Sequence, residues 1–127
     1  GRPLDQDPQF AARMAQVEID LENMKTTNLR VIAAVAHGSV PGAESSMLKI
    51  RGTEIRQEIL SLIRRAMGPY ALPFIEAAQY EGYADAPVGP KEAATAAANY
   101  FNYRKLSIFG GSNEIQKNII SKMILGL

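Results

Sequence analysis

Residues 107–124, "SIFGGSNEIQKNIISKMI", have the composition of a ligand-facing turn that leads into a helix. Gly110 and Gly111 precede Ser112, and an apolar pattern with helical spacing follows. The first N–H groups of a helix carry partial positive charge, and glycines let a ligand approach the backbone. The segment is therefore a candidate docking site for a dinucleotide cofactor or its phosphates. The same residues also fit a simpler interpretation, with Ser112 as the helix cap and Glu114 placed favourably in the first turn.

Glu81, in the stretch "QYEGYADAP" at residues 79–87, is a second candidate for chemistry. A carboxylate beside Tyr80 and Tyr83 could act as a general base. Nothing in the neighbouring sequence positions it, so a solvated loop acid is the simpler explanation.

Histidine and cysteine chemistry is almost excluded by composition. His37 is the only histidine and the chain has no cysteine, so no metal site, Ser–His dyad or thiol nucleophile is predicted. His37 precedes Gly38 at the predicted end of a helix, where an imidazolium would meet the negative end of the helix dipole.

The overall composition predicts one soluble globular domain. The 127 residues are 46% hydrophobic and 21% charged, with a net charge of +1. No cluster of Lys and Arg suggests nucleic acid as a partner. The sequence shows neither a run of about 20 apolar residues nor a signal peptide, so a cytoplasmic location without a membrane span is expected.

Four helices are predicted from the apolar spacing, over residues 7–37, 44–67, 91–107 and 112–125. Asp7 is a good cap for the first helix, and Ser45 or Ser46 is a plausible cap for the second. The side chains expected to form the core are Leu21, Ile55, Ile59, Phe101 and Ile119.

The predicted fold is all-α, because no alternating run of β-branched residues and no hairpin turn signal occurs. The simplest arrangement is an up-down four-helix bundle, with a long irregular loop over residues 68–90 between helices two and three. Residues 1–127 are expected to form this single bundle.

The closing motif "SIFGGSNEIQKNIISKMILG" resembles the C-terminal signature of the acyl-CoA dehydrogenase family. The opening "GRPLDQDPQFAARMAQVEIDLENM" looks like the second helix of that family's C-terminal domain, and "SSMLKIRGTEI" fits its third helix, which typically carries a lysine before a Ser/Thr–acid pair. The resemblance covers nearly all of the chain in the right order. It does not include the domain's first helix or the two domains that precede it in the family.

The resemblance implies an FAD-dependent reaction on an acyl-CoA thioester. A carboxylate removes the α-proton while the β-hydride goes to the flavin, giving a trans-2-enoyl-CoA, and an electron-transfer flavoprotein or similar carrier accepts the electrons. The family pattern implies that Ser112, Asn113 and Glu114 contact FAD and that Gly111 lies against the thioester. A homo-oligomer, as a dimer or tetramer, or a complex with a related subunit is also implied.

The departures from the family pattern concern the catalytic base. Gly110 stands where many members have the catalytic glutamate, so no catalytic residue is assigned in this chain. "YEG" at residues 80–82 comes some thirty residues too early to supply it. The segment "GPYALPF" replaces a Gly-Gly loop that touches a neighbouring subunit's FAD in the family.

Three hypotheses follow from these departures. In an active dehydrogenase, the base comes from the domain's first helix. Alternatively, the protein is a non-catalytic FAD-binding subunit of a heteromeric enzyme, or a helical interaction module without a cofactor. In each case the isolated 127-residue chain is expected to be inactive.

Overall fold

All regular elements that the computed structural model describes, over residues 3–86 and 88–126, are helical. The α-helices are α1 (Pro8–Ala36), α2 (Glu44–Met67), α3 (Ala93–Asn102) and α4 (Asn113–Leu125). Short 3₁₀ helices occur at Leu4–Gln6, Gly68–Ala71, Glu76–Gln79 and Tyr103–Ser107. The all-α prediction is confirmed, and the third predicted helix is an α-helix that continues as a 3₁₀ helix. The up-down bundle arrangement and the single domain remain predictions.

Helix α1 begins and ends where its sequence signals predict. The Asp7 Oδ1 atom accepts a hydrogen bond from the Phe10 backbone N–H at 2.8 Å, which caps the first turn. Pro8 is the first helical residue, where its missing N–H costs nothing. Gly38 has φ +87°, the left-handed conformation that commonly ends a helix. The Ser39 N–H donates a hydrogen bond to the Ala34 carbonyl at 3.0 Å.

Helix α2 begins earlier than the predicted serine caps. The Met47 N–H already donates to the Ala43 carbonyl at 3.1 Å, so helical bonding starts before either serine. Ser45 and Ser46 therefore lie inside the first turn, and Ser46 is buried. The predicted start of the helix at residue 44 is confirmed, but the serine caps were wrong, because a cap precedes the first helical residue and both serines follow it.

A first compact unit contains the described part of Gly1–Met14 together with Arg56–Arg104. In this unit α3 packs against the 3₁₀ helices at Gly68–Ala71 and Glu76–Gln79. The buried apolar side chains are Leu60, Leu62, Ala71, Ala93, Ala94, Ala96 and Ala97. Because an alanine carries only a methyl group, α3 can approach its neighbours closely.

A second compact unit contains Ala15–Ile55 and the described part of Lys105–Leu127. Its buried apolar side chains are Val17, Ala43, Ile50 and Ile55, and Ser46 and Thr53 are buried polar residues. A Cβ on Gly52 of α2 would lie 3.6 Å from the Met24 sulfur on α1, an ordinary contact. Helices α1 and α2 therefore approach each other closely at Gly52, but an alanine would also fit.

Ion pairs connect α1 to α2 within each unit. In the first unit Arg13 pairs with Glu58. In the second unit Arg51 contacts Asp20 at 2.8 Å and Glu54, one turn further along α2, at 2.7 Å. Exposed ion pairs of this kind contribute about 0–1 kcal/mol each, so they orient the helices more than they stabilise them.

The predicted core was only partly right. Ile55 is buried at 4% exposed and Ile59 is half-buried, whereas Leu21 and Ile119 are each 37% exposed and Phe101 is 67% exposed. An apolar stripe shows which face of a helix is apolar, but not whether another helix of the same chain covers it. Phe101, near the end of α3, meets the Tyr100 ring edge-on at 5.3 Å and remains exposed beyond that contact.

We expect Ile55→Ala to lower the free energy of unfolding by about 2–5 kcal/mol, because it leaves a cavity beside a well-packed helix. The matched control is Ile19→Ala on α1, since Ile19 is 55% exposed. That variant should change stability by less than about 1 kcal/mol. Urea unfolding of the 127-residue chain measures both, and equal losses would contradict this description of the core.

Candidate functional site

The turn before α4 contains two successive residues in the left-handed conformation. Gly110 has φ +66° and Gly111 has φ +82°. An L-residue with a side chain pays about 1–2 kcal/mol in this region, so two such residues in a row favour glycine at both positions. The backbone geometry thus explains the glycine pair without reference to a ligand.

Ser112 caps α4 as the simpler interpretation predicted. Its backbone is extended, and its Oγ atom accepts a hydrogen bond from the Ile115 N–H at 3.4 Å. Its carbonyl accepts from the Gln116 N–H at 3.0 Å, which closes the first turn. The cap is confirmed, and the role of Ser112 in cofactor binding remains a prediction.

Glu114 lies in the first turn of α4 and is held there as a carboxylate. Its own backbone N–H and then the Ser112 hydroxyl donate hydrogen bonds to it, and these lower the pKa of Glu114 below the ordinary value of 4.5. Lys117 and Lys49 favour the charged form further. A negative charge at this end of the helix offsets the dipole, so the site is poorly suited to a phosphate and well suited to a hydrogen-bond donor.

The Gln116 side chain makes the space around Gly110 different from the space around Gly111. Its side-chain Nε2 donates to the Gly110 carbonyl at 2.9 Å, so the amide lies across the turn. A Cβ on Gly111 would approach this Nε2 to 2.8 Å, closer than real contacts allow. A Cβ on Gly110 would meet nothing within 4 Å. Gly110 therefore borders open space, whereas Gly111 is covered on one side by Gln116.

Helix α2 holds the chain on both sides of the glycine turn. The Lys49 ammonium donates to the Asn113 side-chain oxygen at 2.8 Å, just after the turn. The buried Thr53 hydroxyl lies 2.9 Å from the Lys49 carbonyl and 3.4 Å from the Leu106 carbonyl, just before the turn. No role was predicted for Lys49 beyond its place in the third-helix motif, because a contact across 64 residues leaves no local signal.

The other sequence candidates lie elsewhere. Glu81 is exposed in a turn beside Gly82, which has φ +85°. His37 directly follows α1, and its N–H donates to the Ala33 and Ala34 carbonyls at 3.2 and 3.1 Å, so the helix-end position is confirmed.

Within residues 3–86 and 88–126, no three His, Cys, Asp or Glu side chains group as metal ligands would. No helix in the described part of the chain is both long and apolar enough to cross a bilayer.

A set of arginine–tyrosine stacks in the first unit was not predicted. The Tyr100 ring is contacted by the guanidinium groups of Arg64 and Arg104, at 4.7 and 4.6 Å from its centre. Arg56 stacks on Tyr103 at 4.7 Å in the same way. These contacts join α2 to α3 and the segment after it, and each is worth about 0.5–1 kcal/mol. Tyr100 and Tyr103 are thus half-buried and provide the rings on which the α2 arginines stack.

The chain belongs to the acyl-CoA dehydrogenase family. The family model that matches it is described as "Acyl-CoA dehydrogenase, C-terminal domain", and the match covers residues 1–125. Comparisons with curated proteins and with solved structures gave no match. The family assignment made from the closing motif is confirmed.

We expect Gly111→Ala to destabilise the chain more than Gly110→Ala. Both variants pay about 1–2 kcal/mol for the left-handed backbone. Only the alanine at position 111 also displaces the Gln116 amide from the Gly110 carbonyl, which adds about 0.5–1.5 kcal/mol. Urea unfolding of the two variants and of Gln116→Ala tests this. Equal destabilisation by the two glycine variants would contradict the asymmetry of the turn.

We expect Glu114 to make stability depend on pH in acid. Because its folded pKa is lowered, its contribution is complete above the unfolded pKa and is lost as the pH falls through the folded pKa. The difference in unfolding free energy between wild type and Glu114→Gln should therefore shrink as the pH falls from about 6 to about 2. Chemical unfolding at each pH measures it, and a constant difference would show that the carboxylate is not preferentially stabilised in the folded state.

Proposed function

We propose that this chain is the C-terminal helical domain of an FAD-dependent acyl-CoA dehydrogenase, which oxidises an acyl-CoA thioester to a trans-2-enoyl-CoA. The domain lines the flavin and thioester site and contributes to oligomerisation. The observation that carries the proposal is the family match over residues 1–125. The left-handed Gly110–Gly111 turn supports it, because it leaves backbone rather than side chain at the entrance to α4.

The polar groups after the turn fit the neutral parts of FAD. Asn113 offers an amide, Glu114 offers a carboxylate acceptor, and Ser112 offers a hydroxyl. The hydroxyl groups and ring edges of a dinucleotide match such a set, whereas its phosphates would be repelled by Glu114. When bound, FAD supplies the acceptor for the hydride. The side chains of residues 112–114 hold the cofactor, and Gly111 lets the thioester approach the backbone.

The proton chemistry requires a carboxylate that this turn does not carry. Gly110 occupies the position of the base in many relatives, and its Cα borders open space. A base must lie within hydrogen-bond reach of the proton that it removes. In this protein the base therefore comes from a segment other than the turn, and the open space at Gly110 leaves room for it. The partner that would accept the electrons is an electron-transfer flavoprotein or similar carrier.

A non-catalytic FAD-binding subunit is the second candidate, and the missing side chain at Gly110 favours it. In that case the same turn holds flavin in a complex with a catalytic relative. A helical interaction module without cofactor would use the capped turn only as structure, and the complete set of cap bonds at Ser112 is consistent with that role.

The three candidates are distinguished by flavin absorbance and an enoyl-CoA product assay on the purified protein that carries this domain. We expect bound flavin in the wild type and its loss in Gly111→Val, because the branched side chain would displace the Gln116 amide that lies across the turn and so distort the backbone that the ligand approaches. Gly110→Glu adds a carboxylate into open space and should create or alter turnover if the pocket admits an acyl-CoA. The matched control is Gly38→Val, a left-handed glycine at the end of α1 with nothing within 4 Å of its Cβ position.

Each outcome selects one candidate. Flavin with turnover supports the dehydrogenase. Flavin without turnover, in the wild type and in Gly110→Glu, supports the non-catalytic subunit. Absence of flavin from the wild type supports the interaction module without cofactor. Normal flavin and turnover in Gly111→Val would show that the turn serves only as a helix cap, even in an active dehydrogenase.

A further inference from the structure

We infer that Lys49 is a positioning residue for the cofactor site: its ammonium group fixes the orientation of the Asn113 amide so that Asn113 donates, rather than accepts, toward the cofactor. The inference rests on the proposed function. It concerns a residue on α2 that has no assigned role in the turn.

The orientation of the amide follows from the chemistry of the contact. A lysine ammonium carries only donors, so the Asn113 atom at 2.8 Å from it must be the side-chain oxygen. The amide nitrogen, with its two N–H groups, is then directed away from Lys49. A hydrogen bond from a charged donor is about twice as strong as a neutral one, and this one is partly buried, so it favours a single orientation.

Lys49 is itself held by its helix. Its carbonyl accepts a hydrogen bond from the buried Thr53 hydroxyl at 2.9 Å, one helical turn further along α2. A group carried on a regular helix is located more precisely than one on a loop. The Lys49 charge also favours the ionised form of Glu114. Lys49 therefore supports Asn113 as a hydrogen-bond donor toward the ligand and Glu114 as a hydrogen-bond acceptor.

The Asn113 donor and the Glu114 acceptor together define which ligand groups can bind beside them. The atom that faces Asn113 is a hydrogen-bond acceptor, such as a carbonyl oxygen, a ring nitrogen or a hydroxyl oxygen. The atom that faces Glu114 is a donor, such as a hydroxyl or an N–H. A ligand edge with an acceptor beside a donor satisfies the pair, and a second anion does not.

The experiment is an FAD titration of the apoprotein that carries this domain, followed by flavin fluorescence, with a thermal unfolding midpoint for every variant. Asn113→Asp is the most informative variant, because it keeps a partner for Lys49 and removes the amide N–H groups. We expect its unfolding midpoint to be maintained or raised, and its Kd for FAD to rise about tenfold, the value of one lost hydrogen bond.

The lysine is tested in the same assay. Lys49→Met should raise the Kd for FAD about three- to tenfold, and Lys49→Arg, which retains the donor charge, should restore most of the affinity. In an Asn113→Leu background, Lys49→Met should raise Kd much less than it does in the wild type, because the lysine acts mainly through the asparagine and only weakly through Glu114.

Unchanged FAD affinity in Lys49→Met and Asn113→Asp, in a wild type that binds FAD, would overturn the inference and leave the proposed function intact. A loss of thermal stability in Lys49→Met without a change in Kd would overturn it in the same way, since the bond would then be purely structural. A wild type that binds no FAD would overturn both.

Discussion

The left-handed backbone at Gly110 and Gly111 is the constraint on which the candidate site depends. Two consecutive residues with positive φ lie between the 3₁₀ helix at Tyr103–Ser107 and α4. In this turn the Gln116 side-chain amide donates to the Gly110 carbonyl, and α4 starts at Asn113. Without this left-handed backbone, the side chains of Ser112, Asn113 and Glu114 would not be held together at the start of α4.

Helix α2 supplies the contacts that hold this turn in the second unit. Lys49 binds the residue after the turn, and Thr53 binds a carbonyl before it. In the first unit the same helix is tied to the segment after α3, where the Gln57 amide donates to the Tyr103 and Arg104 carbonyls at 3.3 and 3.1 Å. Helix α2 thus provides hydrogen-bond donors at both ends of the segment between α3 and α4.

The charges around the turn limit what it can bind. Glu114 is kept ionised by the helix end, and Lys49 balances it without pairing directly, since its ammonium contacts a neutral amide. This arrangement favours a neutral ligand edge with mixed donors and acceptors. Because Gly110 carries no side chain, that position of the turn has no group that could accept a proton. The family membership of the chain and the chemistry of its turn are therefore compatible with both an active enzyme and a non-catalytic subunit.

The sequence by itself determined the local features of this protein. Asp7, Gly38 and Ser112 act within one helical turn of their own positions, so their roles were predictable, and the closing motif identified the family. The tertiary structure decided which apolar faces are covered and which distant groups meet. Phe101 is exposed despite its apolar stripe, and Lys49 reaches Asn113 across 64 residues. The physical reason is that capping and backbone conformation are set by neighbours in the chain, whereas burial and long-range hydrogen bonds depend on how separate helices pack.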